Sequence, residues 1–147
     1  MPSGDETVRA LRGALNVSPD NVPLRRHLAA TLMSLGRVEE AIAEFRQALA
    51  ARPHDNEVKL DLAKAYLAGG NSSAAFVIVE EQFRDRSATA DTHLLHCRLL
   101  LLAGQTDRAS QAYRRAVEAE PDLADDDLAA ELHLDVRAGG DPSAGPR

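Results

Sequence analysis

Three glycines, Gly36, Gly70 and Gly104, stand 34 residues apart, and that spacing limits what this chain can fold into more than any other feature. Glycine is the residue that leaves a helix in the left-handed conformation without a Cβ penalty, so each marks a bend between two helices. Five residues after each glycine comes an alanine, Ala41, Ala75 and Ala109. A second helix would have to approach the first closely there, and a larger side chain would overpack the crossing by roughly 1–3 kcal/mol. Four residues further, Phe45, Val79 and Tyr113 lie one turn along the same face and read as packing residues. Pro53 and Pro121 sit two periods apart and stop the second helix, whereas Ser87 takes the middle slot. That junction is expected to be looser.

A 34-residue interval of helix, turn and helix is the period of a helical solenoid. First helices are expected over 22–35, 56–69 and 90–103, and second helices over 38–51, 72–86 and 106–119. Stepping back 34 residues from Pro53 reaches Pro19, and Leu11, Ala14 and Leu15 then fall in the slots of Phe45, Ala48 and Leu49. Ser3 and Glu6 have capping-box spacing ahead of a helix over 5–17, so the chain opens with half a repeat. Asn21 caps the next helix and Pro23 suits its first turn.

On these residues the chain resembles the tetratricopeptide (TPR) family. The resemblance covers three units, 22–55, 56–89 and 90–123. The family's large–small–large positions on the first helix are filled by Leu28, Ala29 and Leu32, then by Leu62, Ala63 and Tyr66, and in the third unit by His96, Cys97 and Leu100. The family's frequent tryptophan is missing, its slots holding Arg25, Lys59 and His93. The resemblance implies an all-α fold, a right-handed superhelix of antiparallel helical hairpins with three full repeats. An N-terminal half repeat over 1–21 and an acidic C-terminal capping helix over 124–136, in which Leu128 and Leu132 share a face, would close its ends. Residues 137–147 have the composition of a flexible tail.

Composition agrees with close-packed helices. Aromatic residues are 3% of the chain and hydrophobic residues 44%, so leucine and alanine must build the core. No apolar run approaches the ~20 residues that span a bilayer, and the charged amino end lacks a signal-peptide pattern. One cysteine, Cys97, precludes an internal disulfide, consistent with a reducing compartment. A cytoplasmic protein without membrane partners is expected. The net charge of −6 is uneven: residues 1–54 contribute +1, 55–117 are neutral, and 118–147 contribute −7. A phosphate-binding protein shows a basic face, so nucleic acid is not expected as a partner.

Chemistry is sparse. The phosphate-binding glycine motifs, paired Cys-x-x-Cys and His-Glu-x-x-His are all missing, and no cofactor or enzymatic activity is expected. His93 and Cys97, four apart on one helix, could share a metal, but Cys97 occupies the repeat's small-residue slot. A packing role is the better reading, with metal binding as an alternative. The run Asp125, Asp126 and Asp127 reads as a solvated helix start.

The resemblance implies a ligand groove lined by the first helices, and so a non-enzymatic scaffold or adaptor that binds a protein or peptide. Carried over by position, the candidate contact residues are Arg26, His27 and Met33 in the first unit and Leu60, Asp61, Lys64 and Leu67 in the second. In the third they are Leu94, Leu95, Arg98, Leu101 and Leu102. Arg26, Lys64 and Arg98 form a basic track. Leu60, Leu67, Leu94, Leu95, Leu101 and Leu102 form an apolar patch that needs covering by a partner's helix, by self-association or by the chain's own carboxyl-terminal helix; the alternative is that several of them are simply core, as in leucine-rich helices packed on three sides. The acidic tail is the natural competitor for the basic track. The half repeat, the Pro19-Asp20-Asn21 turn and the acidic close also resemble TPR regions found ahead of AAA-type ATPase domains in high-GC bacteria. An adaptor role ahead of such a domain is therefore the alternative expectation.

Overall fold

The computed structural model describes residues 2–134. Among them are eight α-helices, one short 3-10 turn and no strand. The helices divide into two compact units between Ser87 and Ala88.

The first unit holds α1 (Gly4–Val17), α2 (Val22–Ser34), α3 (Val38–Ala51), α4 (Asn56–Ala68) and α5 (Ser72–Arg84). Short polar side chains start most of them, because the first amides of a helix have no partner within it. Ser3 and Glu6 form the expected capping box, each donating its backbone N–H to the other's side chain at 3.2 Å. Asn21 Oδ1 accepts the Leu24 amide at 3.0 Å, and Asn71 Oδ1 accepts that of Ala74 at 3.1 Å. Asp55 takes the amides of Glu57 and Val58. The core joins Val8 and Leu15 of α1 to Leu28, Ala29 and Leu32 of α2, Ala41, Ile42 and Phe45 of α3, and Leu62 of α4. Half a repeat thus covers the flank of the first hairpin. Ala14 is exposed although its equivalent Ala48 is fully buried with Val22 and Val58. In a whole unit that alanine has its own first helix beside it, and α1 has none.

The second unit holds α6 (Ala90–Leu102), α7 (Thr106–Ala119), the 3-10 turn Pro121–Leu123 and α8 (Asp126–Glu131). Thr89 and Thr92 form a capping box at the start of α6. Leu99 and Leu100 of α6 and Ala109, Tyr113 and Ala116 of α7 are buried. The last helix is six residues, Asp126–Glu131, not the 124–136 expected, because the chain enters it through the 3-10 turn and leaves at His133 in the left-handed region (φ 56°). Residues 135–136 of the expected cap and the tail over 137–147 lie outside the described residues.

The hairpin corners repeat in detail. Gly36, Gly70 and Gly104 have φ of 75°, 83° and 76°. At each, the glycine amide bonds three residues back, to Met33, Leu67 and Leu101, and the next amide bonds five back, to Leu32, Tyr66 and Leu100. This is the Schellman arrangement, which satisfies the last carbonyls of the helix. A Cβ built on any of the three glycines meets nothing within 4 Å, so positive φ alone selects glycine there. The second helices stop differently. α1, α3 and α7 end at Ser18, Arg52 and Glu120, each before a proline, which disfavours helix in the preceding residue. α5 lacks that proline and borrows the corner geometry: Ser87 donates to Gln82 O at 2.9 Å, and Arg86 takes the glycine position at φ 59°. An L-residue there costs roughly 1–2 kcal/mol, partly offset by the lower entropy of a non-glycine unfolded chain. Arg86→Gly is therefore expected to stabilise the first unit by about 1 kcal/mol in urea denaturation; destabilisation would contradict this account of the α5 stop.

Candidate partner-binding face

The slots where a tryptophan was expected are where the first helix of each hairpin meets the second, and ion pairs fill two of them. Arg25 donates to Glu44 Oε2 at 2.6 Å and to the Pro19 carbonyl at 2.9 Å. Lys59 Nζ lies 2.8 Å from Glu81 Oε1. Each long stem covers apolar surface while its head meets a carboxylate. The third slot holds His93, and Arg115 stands one hairpin on from the place of Glu81. Burial and, next, the Arg115 charge lower the His93 pKa below its ordinary 6.5. The folded unit therefore prefers neutral imidazole. Its stability is full above pH 6.5 and declines as pH falls through 6.5 toward the lowered value. His93→Gln is expected to flatten the dependence of thermal unfolding between pH 7 and 5; an unchanged slope would remove His93 as its source.

On the first unit, Arg26 of α2 reaches across to α4. Its Nε and Nη2 bond Asp61 Oδ2 at 2.8 and 2.7 Å, and Nη1 bonds Glu57 at 3.2 Å. Burial opposes its charge, but these two carboxylates outweigh it and hold its pKa above the ordinary value. Arg26 and Asp61 thus brace neighbouring first helices, and Arg26 is already committed to carboxylates. His27 and Lys64 are exposed, Leu67 is half-buried, and Met33 packs against the core. Leu60 is only 8% exposed.

On the second unit, Leu95 is 3% exposed and Leu102 70%, with Leu94 and Leu101 half-buried. The expected six-leucine patch is thereby corrected. Leu60 and Leu95 belong to the core, because helical register gives a direction on a helix but not which neighbour covers it. The exposed apolar surface on α6 is centred on Leu102. Arg98 is exposed and donates to Asp125 Oδ2 at 3.3 Å. Asp125 Oδ1 also caps α8 through the Leu128 amide at 3.0 Å. The Asp125 backbone N–H donates to the Tyr113 hydroxyl at 3.0 Å, and that hydroxyl meets the Asp125 carbonyl at 3.3 Å. The sequence singled out neither Tyr113 nor Asp125 for this junction; an acid at a helix start was its only signal.

The His93–Cys97 alternative gains no support from the geometry. Cys97 is fully buried, and burial, opposed by Arg98 and reinforced by Glu131, pushes its thiol up to about 11. A metal ligand needs the thiolate. Among the described residues no three histidine, cysteine or acidic side chains converge on one point, and no helix is long and apolar enough to cross a membrane.

Residues 36–86 match the family model described as Tetratricopeptide repeat. The chain is 27% identical over 118 residues to the human protein "Mitochondrial import receptor subunit TOM70", an alignment of 76% of this chain and 19% of that protein. It therefore spans about a fifth of the length of that relative. Among solved structures, a tetratricopeptide repeat protein from Parabacteroides merdae superposes with a TM-score of 0.77 at 19% identity, over 89% of this chain and 50% of the other. YrrB, described as a TPR protein with an unusual peptide-binding site, gives 0.67 at 18% identity, over 85% and 63%. These structural likenesses show the fold. Together with the match over residues 36–86, they show that this chain has the helical-hairpin fold of tetratricopeptide-repeat proteins.

Proposed function

We propose that the chain is a non-enzymatic protein-interaction module, holding a peptide or helix of a partner protein on its first-helix faces, as the groove of its family implies. The observation that carries this reading is that α2, α4 and α6 each present side chains outside the core, with Lys64 and Arg98 at one shared repeat position and Leu67 and Leu101 at another. His27, Lys64, Arg98 and Leu102 are exposed, and Leu67, Leu94 and Leu101 are half-buried. On the second unit alone, Arg98 beside Leu101 and Leu102 suits a partner segment that is apolar on one side and acidic on the other. The names of two similar proteins, an import receptor subunit and a TPR protein with a peptide-binding site, point the same way. A net charge of −6 disfavours nucleic acid.

The test is affinity capture with the full chain, identification of the bound protein, and titration of that protein against surface variants. Lys64→Glu and Leu102→Asp are each expected to weaken binding at least tenfold, with the far-ultraviolet helical spectrum unchanged. Unchanged affinity in both would overturn the assignment of these faces.

A further inference from the structure

The strongest unexplained feature is the way the second unit holds the start of α8. Arg98 of α6 and Tyr113 of α7 converge on one residue, Asp125, gripping its carboxylate, its amide and its carbonyl. Every one of these contacts is to a backbone group or to a capping carboxylate, so any helix that begins with an acid offers the same atoms. Beyond that entry the seat takes Leu128, Ala129 and Leu132, which are 4%, 0% and 4% exposed. The recognised pattern is therefore an acidic N-cap with apolar side chains three, four and seven residues on.

The present occupant is short. α8 is six residues and stops at His133, a non-glycine residue at positive φ. On α6, Leu94 lies one turn before Arg98, and Leu101 and Leu102 one turn after it, on the same side of the helix. They remain half-buried or, for Leu102, exposed. The Arg98–Asp125 pair is itself exposed, 47% and 37% at the two side chains, so it is readily exchanged.

Resting on the reading of the chain as an interaction module, we infer that this seat on the second unit is a docking site for a partner's acid-capped amphipathic helix. α8 holds the place as a built-in stand-in until that helix displaces it. The partner supplies a carboxylate to Arg98 and a longer apolar face to α6.

A labelled synthetic peptide with the sequence of residues 122–134 serves as the probe, titrated onto the full chain. Leu128→Ser combined with Leu132→Ser empties the seat without touching Arg98, and is expected to bind the peptide at least tenfold more tightly than the parent does. Adding Arg98→Glu should abolish that binding, and a peptide with arginine at the position of Asp125 should restore it. Equal binding by parent and emptied chain, or indifference to the Arg98 reversal, overturns the inference. Should the emptied chain fail to fold, hydrogen exchange on the parent decides: saturating peptide should speed exchange of the Leu128 and Leu132 amides at least tenfold, and no change overturns it. A parent chain that doubles its mass in light scattering by exchanging α8 between copies would put a second copy in the seat and equally overturn the separate partner. Failure here with Lys64→Glu still weakening the captured partner would leave the interaction-module reading standing.

Discussion

Leu32→Ala should lower the unfolding free energy by about 3 kcal/mol, the usual loss when a fully buried leucine leaves a cavity that its neighbours only partly close. Leu32 is 0% exposed and packs with Leu28, Phe45 and Leu62 in the core of the first unit. Against a total of about 5–15 kcal/mol for a typical domain, such a change leaves the unit near the edge of stability. Leu102→Ala, at a side chain 70% exposed, should change stability by less than about 0.5 kcal/mol. Urea denaturation of the two variants checks the contrast. Equal losses would mean that the division between packing leucines and surface leucines has been misread.

Glu81→Ala should cost about 2 kcal/mol, because it leaves the Lys59 ammonium, only 11% exposed at its side chain, without its carboxylate. Breaking a buried pair from one side commonly costs 3–5 kcal/mol; Glu81 is itself 41% exposed, and water reaching that end moderates the loss. Lys59→Met removes the charge that needs a partner, keeps a flexible apolar stem in the slot, and should fall within about 0.5 kcal/mol of the parent. Thermal unfolding of both variants separates the cases. A neutral Glu81→Ala would show that the slot is wet and that the pair contributes little.

Backbone requirements were legible in the sequence because they attach to residue types that have few substitutes. Glycine at a left-handed corner, alanine at a close crossing and proline after a helix give nearly all the helix limits, and Ser3 with Glu6 and Asn21 mark two helix starts by their capping chemistry. What escaped depends on neighbours distant in sequence. The burial of Leu60 and Leu95 is decided by helices packed over them, and the engagement of Arg26 by carboxylates a whole repeat away. Arg86 at the end of α5 is a third kind of case. The missing proline was visible at Ser87, but nothing in the composition of the segment announces that an arginine will adopt the glycine conformation in its stead.

Equivalence of the three glycine corners is the claim on which the hairpin architecture stands, and mirror-image alanines test it most directly. L-alanine and D-alanine placed in turn at Gly36, Gly70 and Gly104 by chemical synthesis should give opposite signs in a denaturant titration. The account predicts that each L-alanine costs about 1 kcal/mol, since a Cβ there is opposed by φ alone. Each D-alanine, at ease at positive φ, should stabilise the chain by about 0.5–1 kcal/mol by restricting the unfolded backbone. Indifference to handedness at any of the three positions would contradict the repeated hairpin.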